Sequence, residues 1–253
     1  MLANQFQEFW QTLCQDYKII DLSHKLEEHM PQWPTHSRFF HTLWDSYWHG
    51  DVAIDYQIMM NEHTGTHMDA PAHFIQAGES NLWIDEVPLE QTLGTCVRIE
   101  MRHIAPKGLV PASAIMEWEK TYGKIQSGEI VLFDYDWAKF WNKRPNDRKY
   151  TTDWPGLSRE AAELLVERGA KLVGCDTLAI DTYGHEENPA HYVLLGNKVL
   201  ICENLHQLWQ IPPRGGYFIA LPLPIKKGSA SPVRAICIVP KTEQQKQMIE
   251  ECV

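Results

Sequence analysis

The sequence predicts a single mixed α/β domain with a central sheet or small barrel flanked by helices, and three observations carry that prediction. Apolar runs of strand length outnumber helix-period stretches. The two types alternate only in the middle of the chain. No internal repeat, low-complexity tract or linker divides residues 1–253, a length ample for one sizeable core.

Residues 4–17 place Phe6, Phe9, Trp10, Leu13 and Tyr17 on one helical face, with Asn4 and Gln7 spaced as a capping start. This helix forms an extension over residues 1–17. Lys18 to Leu22 then reads as a short strand, and residues 29–50, dense in Pro, His and aromatics, read as a long ordered loop. Further strands are expected at 56–60, 96–101, 129–133, 171–175, 198–202, 217–221 and 233–239. Helices are expected at 112–122 and 159–168. Ser158 caps the second at its start and Gly169 supplies the left-handed residue at its end.

Composition narrows the function classes. The chain has 23 Lys and Arg against 33 Asp and Glu, a formal charge of −10, which argues against nucleic-acid binding. Its densest basic stretch, Lys139 to Lys149, reads as a solvated loop. Six scattered cysteines form no C-x-x-C pair, and four lie in apolar runs, so no disulfide framework is expected. No basic-then-apolar leader is visible at the N-terminus, and no apolar run approaches the roughly 18 residues of a membrane span. The expected setting is the cytoplasm, with a small-molecule partner and neither nucleic acid nor membrane.

Chemistry concentrates in His63-Thr64-Gly65-Thr66-His67-Met68-Asp69-Ala70-Pro71-Ala72-His73. Positions 63, 67, 69 and 73 differ by even numbers, so in an extended chain their side chains share one side. A helical reading fails because Gly65 lies between the histidines and Pro71 follows closely. Gly65 lets the backbone turn, and Pro71 is expected to keep the segment extended as it leaves the site. Two imidazoles and a carboxylate suit Zn²⁺, Mn²⁺ or Fe²⁺ and differ from the all-oxygen shells of Ca²⁺ and Mg²⁺. An incomplete protein shell leaves room for water and substrate, as in catalytic sites.

The pattern H-x-G-T-H-x-D-x-P-x-H, complete here from His63 to His73, resembles the hallmark of the cyclase-like metal-dependent hydrolases, the family of bacterial kynurenine formamidase (arylformamidase) and isatin hydrolase. Ile20-Asp21-Leu22-Ser23-His24 with Met30-Pro31-Gln32-Trp33-Pro34 resembles that family's N-terminal signature. The stretch from Leu172 to Asp181, His191 to Gly196, and Ile201 to Leu205 resemble its later motifs, so the likeness runs from about 18 to about 240. The resemblance implies a swivelling β/β/α fold and a dimer or tetramer. It implies His63, His67 and Asp69 as metal ligands and His73 as general base or proton shuttle. It also implies His191 and Glu203 as completing a second metal site, with Glu203 and Asp69 bridging. In relatives with one metal site, the downstream His contacts substrate or water instead. One or two divalent ions, Zn²⁺ or Mn²⁺, are thus expected.

The implied reaction is hydrolysis of an amide, formamide or lactone by metal-activated water. His73, with an ordinary pKa near 6.5, would take a proton and return it to the leaving group. A serine nucleophile is disfavoured, since no G-x-S-x-G elbow occurs. Trp33, Phe39, Phe40, Trp44 and Trp48 precede the metal motif, and Phe74 and Trp83 follow it, offering flat walls for an aromatic substrate. Trp33 matches a family pocket position, and Trp33 and Phe74 are the expected substrate contacts. N-formylkynurenine-type anilides lead as substrates, with cyclic amides and lactones close behind. A non-catalytic metal-binding relative is the competing class, but its expected mark, loss of His73 or of a ligand, is missing. The helical extension and the bulky 135–157 segment exceed the compact bacterial formamidases.

Overall fold

The computed structural model describes residues 2–242 of the chain. The elements in order are α1 (Leu2–Asp16), β1 (Tyr17–Asp21), β2 (Phe40–Asp45), β3 (Asp55–Met59), β4 (His67–Asp69), β5 (Leu93–Glu100) and β6 (Leu109–Val110). They continue with α2 (Ala112–Tyr122), β7 (Ile130–Asp134), β8 (Gly156–Leu157), α3 (Arg159–Glu167), β9 (Leu172–Cys175), α4 (Pro189–Gly196), β10 (Leu200–Glu203), β11 (Gly216–Pro222) and β12 (Ala230–Pro240). Seven strands close into a barrel in the order β12-β11-β5-β7-β9-β10-β4, with β4 returning to β12. Strands β5, β7, β9 and β10 run parallel, linked by crossovers through α2, α3 and α4, and the remaining pairs of the barrel are antiparallel, while β6 and β8 form a short parallel pair outside it.

The closing strand β12 is long enough to serve two neighbours on one edge. Ala230 to Pro232 pair with β4, and Ile236 to Pro240 pair with β1. Alternation then sorts side chains into two cores. Met68, Ile130, Leu132, Leu172, Cys202 and Phe218 fill the barrel. Val131, Phe133, Val173 and Ile201 face outward and pack beneath the helices, with Leu165 of α3 and Leu194 of α4. His67, Asp69 and Glu203 stand on this outer side, because Met68 and Cys202 between them point inward.

The predicted strands of the barrel appear within three residues of their expected ends, β5 and β12 each beginning three residues early, and the helix at 112–122 has its expected bounds. Ser158 Oγ accepts the Ala161 N–H at 3.1 Å, and Gly169 adopts φ +75°, so α3 is capped at both ends as read. Helix α1 begins at Leu2, before Asn4, so Asn4 is not its cap. Its apolar face is not packed down, and Phe6, Phe9 and Trp10 remain exposed.

The 29–50 region is not wholly a loop. Phe40 to Asp45 pairs with Asp55 to Met59 in a separate hairpin. Its strands are exposed on nearly every residue, so no buried face imposes the alternation by which a strand is recognised. Trp44 and Trp48 are exposed on this hairpin rather than turned toward a cavity. The 135–157 segment keeps its lysines in solvent but buries Trp137, Tyr150 and Trp154. The described cysteines are all free, and among the described residues no helix is long and apolar enough to cross a membrane.

Candidate metal centre

The site forms where β4 meets β10. His67 and Glu203 are direct cross-strand partners, which brings their side chains together on the outer face of the barrel. Asp69 lies two residues along the same strand and points the same way. Gly65, at φ +61°, turns the chain into β4, and a Cβ there would lie 2.6 Å from Leu26 Cδ2. Beyond the strand the segment does not stay extended. Pro71 opens a single 3₁₀ turn through His73, because a ring-locked φ also suits the first position of a helical turn. His73 therefore reaches the site by folding back, with its ring centroid 4.1 Å from that of His63.

His191 arrives from α4, a helix absent from the sequence expectation. Asp181 fixes it by accepting the Ala190 N–H at 2.8 Å, the His191 N–H at 3.0 Å and His191 Nδ1–H at 2.6 Å. Asn188-Pro189 was the available signal, since proline favours the first helical position.

Asp69 is the centre of the cluster. Its carboxylate is 1% exposed, and neither oxygen receives an aligned hydrogen bond. His63 Nδ1 is 2.8 Å from Oδ1, His67 Nε2 is 3.4 Å from Oδ1, and His191 Nε2 is 3.6 Å from Oδ2. Glu203 repeats the division, with Oε2 3.5 Å from His67 Nε2 and Oε1 3.4 Å from His191 Nε2. One half of the cluster thus holds His63 and His67, the other His191, with the two carboxylates between. His73 offers a ring nitrogen within 4.8 Å of the His63 and Asp69 ligand atoms.

The imidazole protons are directed away from this centre. His67 Nδ1 donates to the Gly65 carbonyl at 2.8 Å, and His191 Nδ1 donates to Asp181. Ser229 Oγ gives its proton to Glu62 Oε2 at 2.8 Å, so it accepts from His63 Nε2 at 3.2 Å. Each ring then aims a lone pair at a carboxylate that has none to spare. A buried acceptor left without a donor costs about 1–3 kcal/mol, more if charged, and a cation removes that cost. The 3.4–3.6 Å spacings around His67, Asp69, His191 and Glu203 also suit a small ion. Donors at about 2.0–2.1 Å in tetrahedral array lie ~3.3–3.4 Å apart. The donor set fits a divalent metal.

Without metal the same groups compete for protons. Burial lowers His63 and His191, but neighbouring carboxylates outweigh it: Asp69 holds His63 above its usual value, and Asp181 with Asp69 and Glu203 holds His191 well above. Burial raises Asp69, yet the surrounding imidazoles bring it well below the carboxylate range. His73 behaves differently. Burial drives it down to about 3 against the pull of Asp69, leaving it neutral at working pH.

A cavity of about 190 Å³ opens over the cluster and is lined by Trp33, His63, His67, His73, Phe74, His191 and Glu203 among others, with Asp69 buried behind them. Phe74 stacks on His191 with centroids 4.5 Å apart. Phe39, Phe40, Trp44, Trp48 and Trp83 do not line it. The structure adds His36, which burial lowers to about 4, and Asn204, whose amide donates to the Gly65 carbonyl at 2.9 Å. Nothing in the sequence marked Ser229, which meets the motif only through folding, or Glu62, which adjoins His63 and binds Ser229 across 167 residues.

The Cyclase family model matches residues 20–182. Isatin hydrolase of Roseibium aggregatum is 30% identical over 201 residues, 73% of this chain and 74% of the relative. Kynurenine formamidase of Geobacillus thermodenitrificans is 30% identical over 217 residues, 85% of this chain and 95% of the relative. The solved structure of isatin hydrolase A from Labrenzia aggregata, bound to benzyl benzoate, superimposes with a TM-score of 0.83 at 29% identity, covering 95% of this chain and 99% of that one.

Proposed function

The chain belongs to the Cyclase family and is a metal-dependent hydrolase, and we propose that it cleaves the C–N bond of a small aromatic amide, in the manner of an arylformamidase. The carrying observation is Asp69, a buried carboxylate with no aligned donor, faced by imidazoles whose protons are pinned elsewhere.

We assign His63, His67 and Asp69 to one half of the centre and His191 and Glu203 to the other, with Asp69 and Glu203 shared. Zn²⁺ or Mn²⁺, one ion or two, suits this N/O set. A divalent ion there supplies Lewis acidity, polarising a carbonyl and acidifying water. The chain's own residues do the rest. Asp181 and the Gly65 carbonyl fix the tautomers of His191 and His67. Neutral His73 stands at the cavity wall beside His63, ready to take a proton and return it to the departing nitrogen. Trp33 and Phe74 offer flat apolar faces to an aromatic ring, and Phe74, stacked on His191, holds that ring against the reacting end.

A cyclic aromatic amide of the isatin kind is the second reading, favoured by the near full-length match to isatin hydrolase A. A homodimer or homotetramer is the assembly we propose, supported by exposed Phe6, Phe9 and Trp10 on α1 and Trp44 and Trp48 on the hairpin. Metal-loaded protein should open at least one of a panel of formanilides, isatins and aryl lactones. Failure on the whole panel removes the reading.

A further inference from the structure

The cavity over the metal centre, about 190 Å³, has room for one small ring, and it does not end at Trp33. A second chamber of about 270 Å³ continues past it and shares Trp33, Ala179 and Asn188 as a neck. Drug-sized sites span about 300–1,000 Å³, so the first chamber alone suits one small ring and the pair suits a longer molecule.

The second chamber is built for a flat group. Trp154, buried and pinned by its Nε1–H to the Asp181 carbonyl at 2.8 Å, forms the rigid wall. Trp33 meets it edge-on with centroids 5.8 Å apart, and Tyr183 does so at 4.9 Å. Edge-to-face arrays of this kind accept a further ring. Among the described residues, no Lys or Arg lines either chamber, and the second holds the acidic Asp181 and Glu186 with one histidine, His185. The cation next to Tyr183, Lys107, is paired with Asp153 at 3.1 Å and lies outside the lining. A carboxylate entering here meets two acidic side chains and no Lys or Arg.

We propose that this chamber is a specificity subsite for an uncharged aromatic group, so that the preferred substrates are two-ring aryl amides rather than amides bearing a carboxylate tail. This rests on the amide-hydrolase reading and narrows its substrate class.

The test compares formanilide, the three N-formylaminobiphenyl isomers and their distal-ring carboxylates on metal-loaded wild type and Tyr183→Ala. At least one biphenyl isomer should exceed formanilide in kcat/KM by about tenfold through KM, and its carboxylate should lose that gain. In Tyr183→Ala the biphenyl advantage should shrink at least about fivefold while formanilide stays within about twofold. Equal use of formanilide and every biphenyl isomer by wild type, or an equal fall for both substrates in the variant, overturns the proposal. If no formamide is cleaved, the amidase reading fails separately. Calorimetric binding of the aminobiphenyls then decides the subsite. Binding that weakens in Tyr183→Ala upholds it, and binding to neither protein rejects it.

Discussion

Asp181→Asn is the sharpest single perturbation of the centre. The carboxylate accepts three N–H groups, at 2.6, 2.8 and 3.0 Å, and one of them is His191 Nδ1–H. An amide of the same size keeps one accepting oxygen and turns an NH₂ toward the remaining donors. At least one charge-assisted bond is lost, worth about 1.5–3 kcal/mol of folding stability. For a chain of this size that lowers the melting temperature by roughly 3–12 °C. Separately, His191 loses the partner that fixes its tautomer and orientation, which should weaken metal binding by about 10–100-fold, or ~1.4–2.7 kcal/mol. Chelator-competition calorimetry on purified variant and wild type measures the second effect, and thermal melts of the metal-free proteins measure the first. If the variant melts lower yet binds metal within twofold of wild type, His191 is not a ligand oriented by Asp181 and the two-halved centre is wrong.

His73→Ala should retain metal content by elemental analysis while turnover falls by about 10²–10⁴-fold; unchanged turnover takes the proton-transfer role from it. Tyr150→Phe removes a buried hydroxyl that donates to Asn204 Oδ1 at 2.7 Å. It should cost about 1–3 kcal/mol in urea unfolding, and a neutral result would show that the 135–157 segment does not brace the site through Asn204. The pH dependence of the metal-free protein follows from the shifted imidazoles. His63 and His191, raised by their carboxylate neighbours, give stability that is complete below about pH 6.5 and lost as pH climbs through their folded values. Lowered Asp69 gives stability present above about pH 3.9 and lost as pH falls. Burial holds His24, His36 and His73 down at about 3, 4 and 3, so the unfolded chain takes their protons first and stability also falls as pH drops below about 6.5. Chelator-treated protein should therefore be most stable near about pH 6.5, and saturating metal should reverse the decline above it because metal ligands must be deprotonated. Thermal melts from pH 5 to 9 check this; metal-free stability that rises from pH 6.5 to 9 contradicts it.

The parts of the fold legible in the sequence are those with a local cause. Strand β7 carries a continuous apolar run because it is covered on both faces, and β12 shows alternate buried residues at Ala235, Cys237 and Val239. Helix α3 shows its cap residues and a one-sided apolar stripe. Helix α4 hides because Pro189, Ala190, His191, Leu194 and Leu195 are buried around most of its girth, so no stripe marks it. The hairpin β2–β3 hides for the opposite reason, being exposed on both faces. In the site, the 63–73 motif was readable because Gly65, the two histidines and Asp69 lie within a few residues. The protein-wide contacts were not. Ser229 lies 166 residues from His63, and Asp181 reaches His191 only when the loop between them folds back onto the first turn of α4. The even spacing of 63, 67, 69 and 73 suggested one extended face. Only 67 to 69 is a strand, and His73 arrives by the 3₁₀ turn that Pro71 begins.

The most direct test of the centre is metal content and turnover measured on the same preparation. Protein stripped by chelator and reloaded with Zn²⁺ or Mn²⁺ should bind one or two ions per chain and regain cleavage of an aryl formamide or cyclic aromatic amide in proportion to occupancy. His67→Ala and Glu203→Gln should lower both together. Turnover that survives full removal of metal, or stoichiometric metal with no turnover of any amide or lactone offered, contradicts the account.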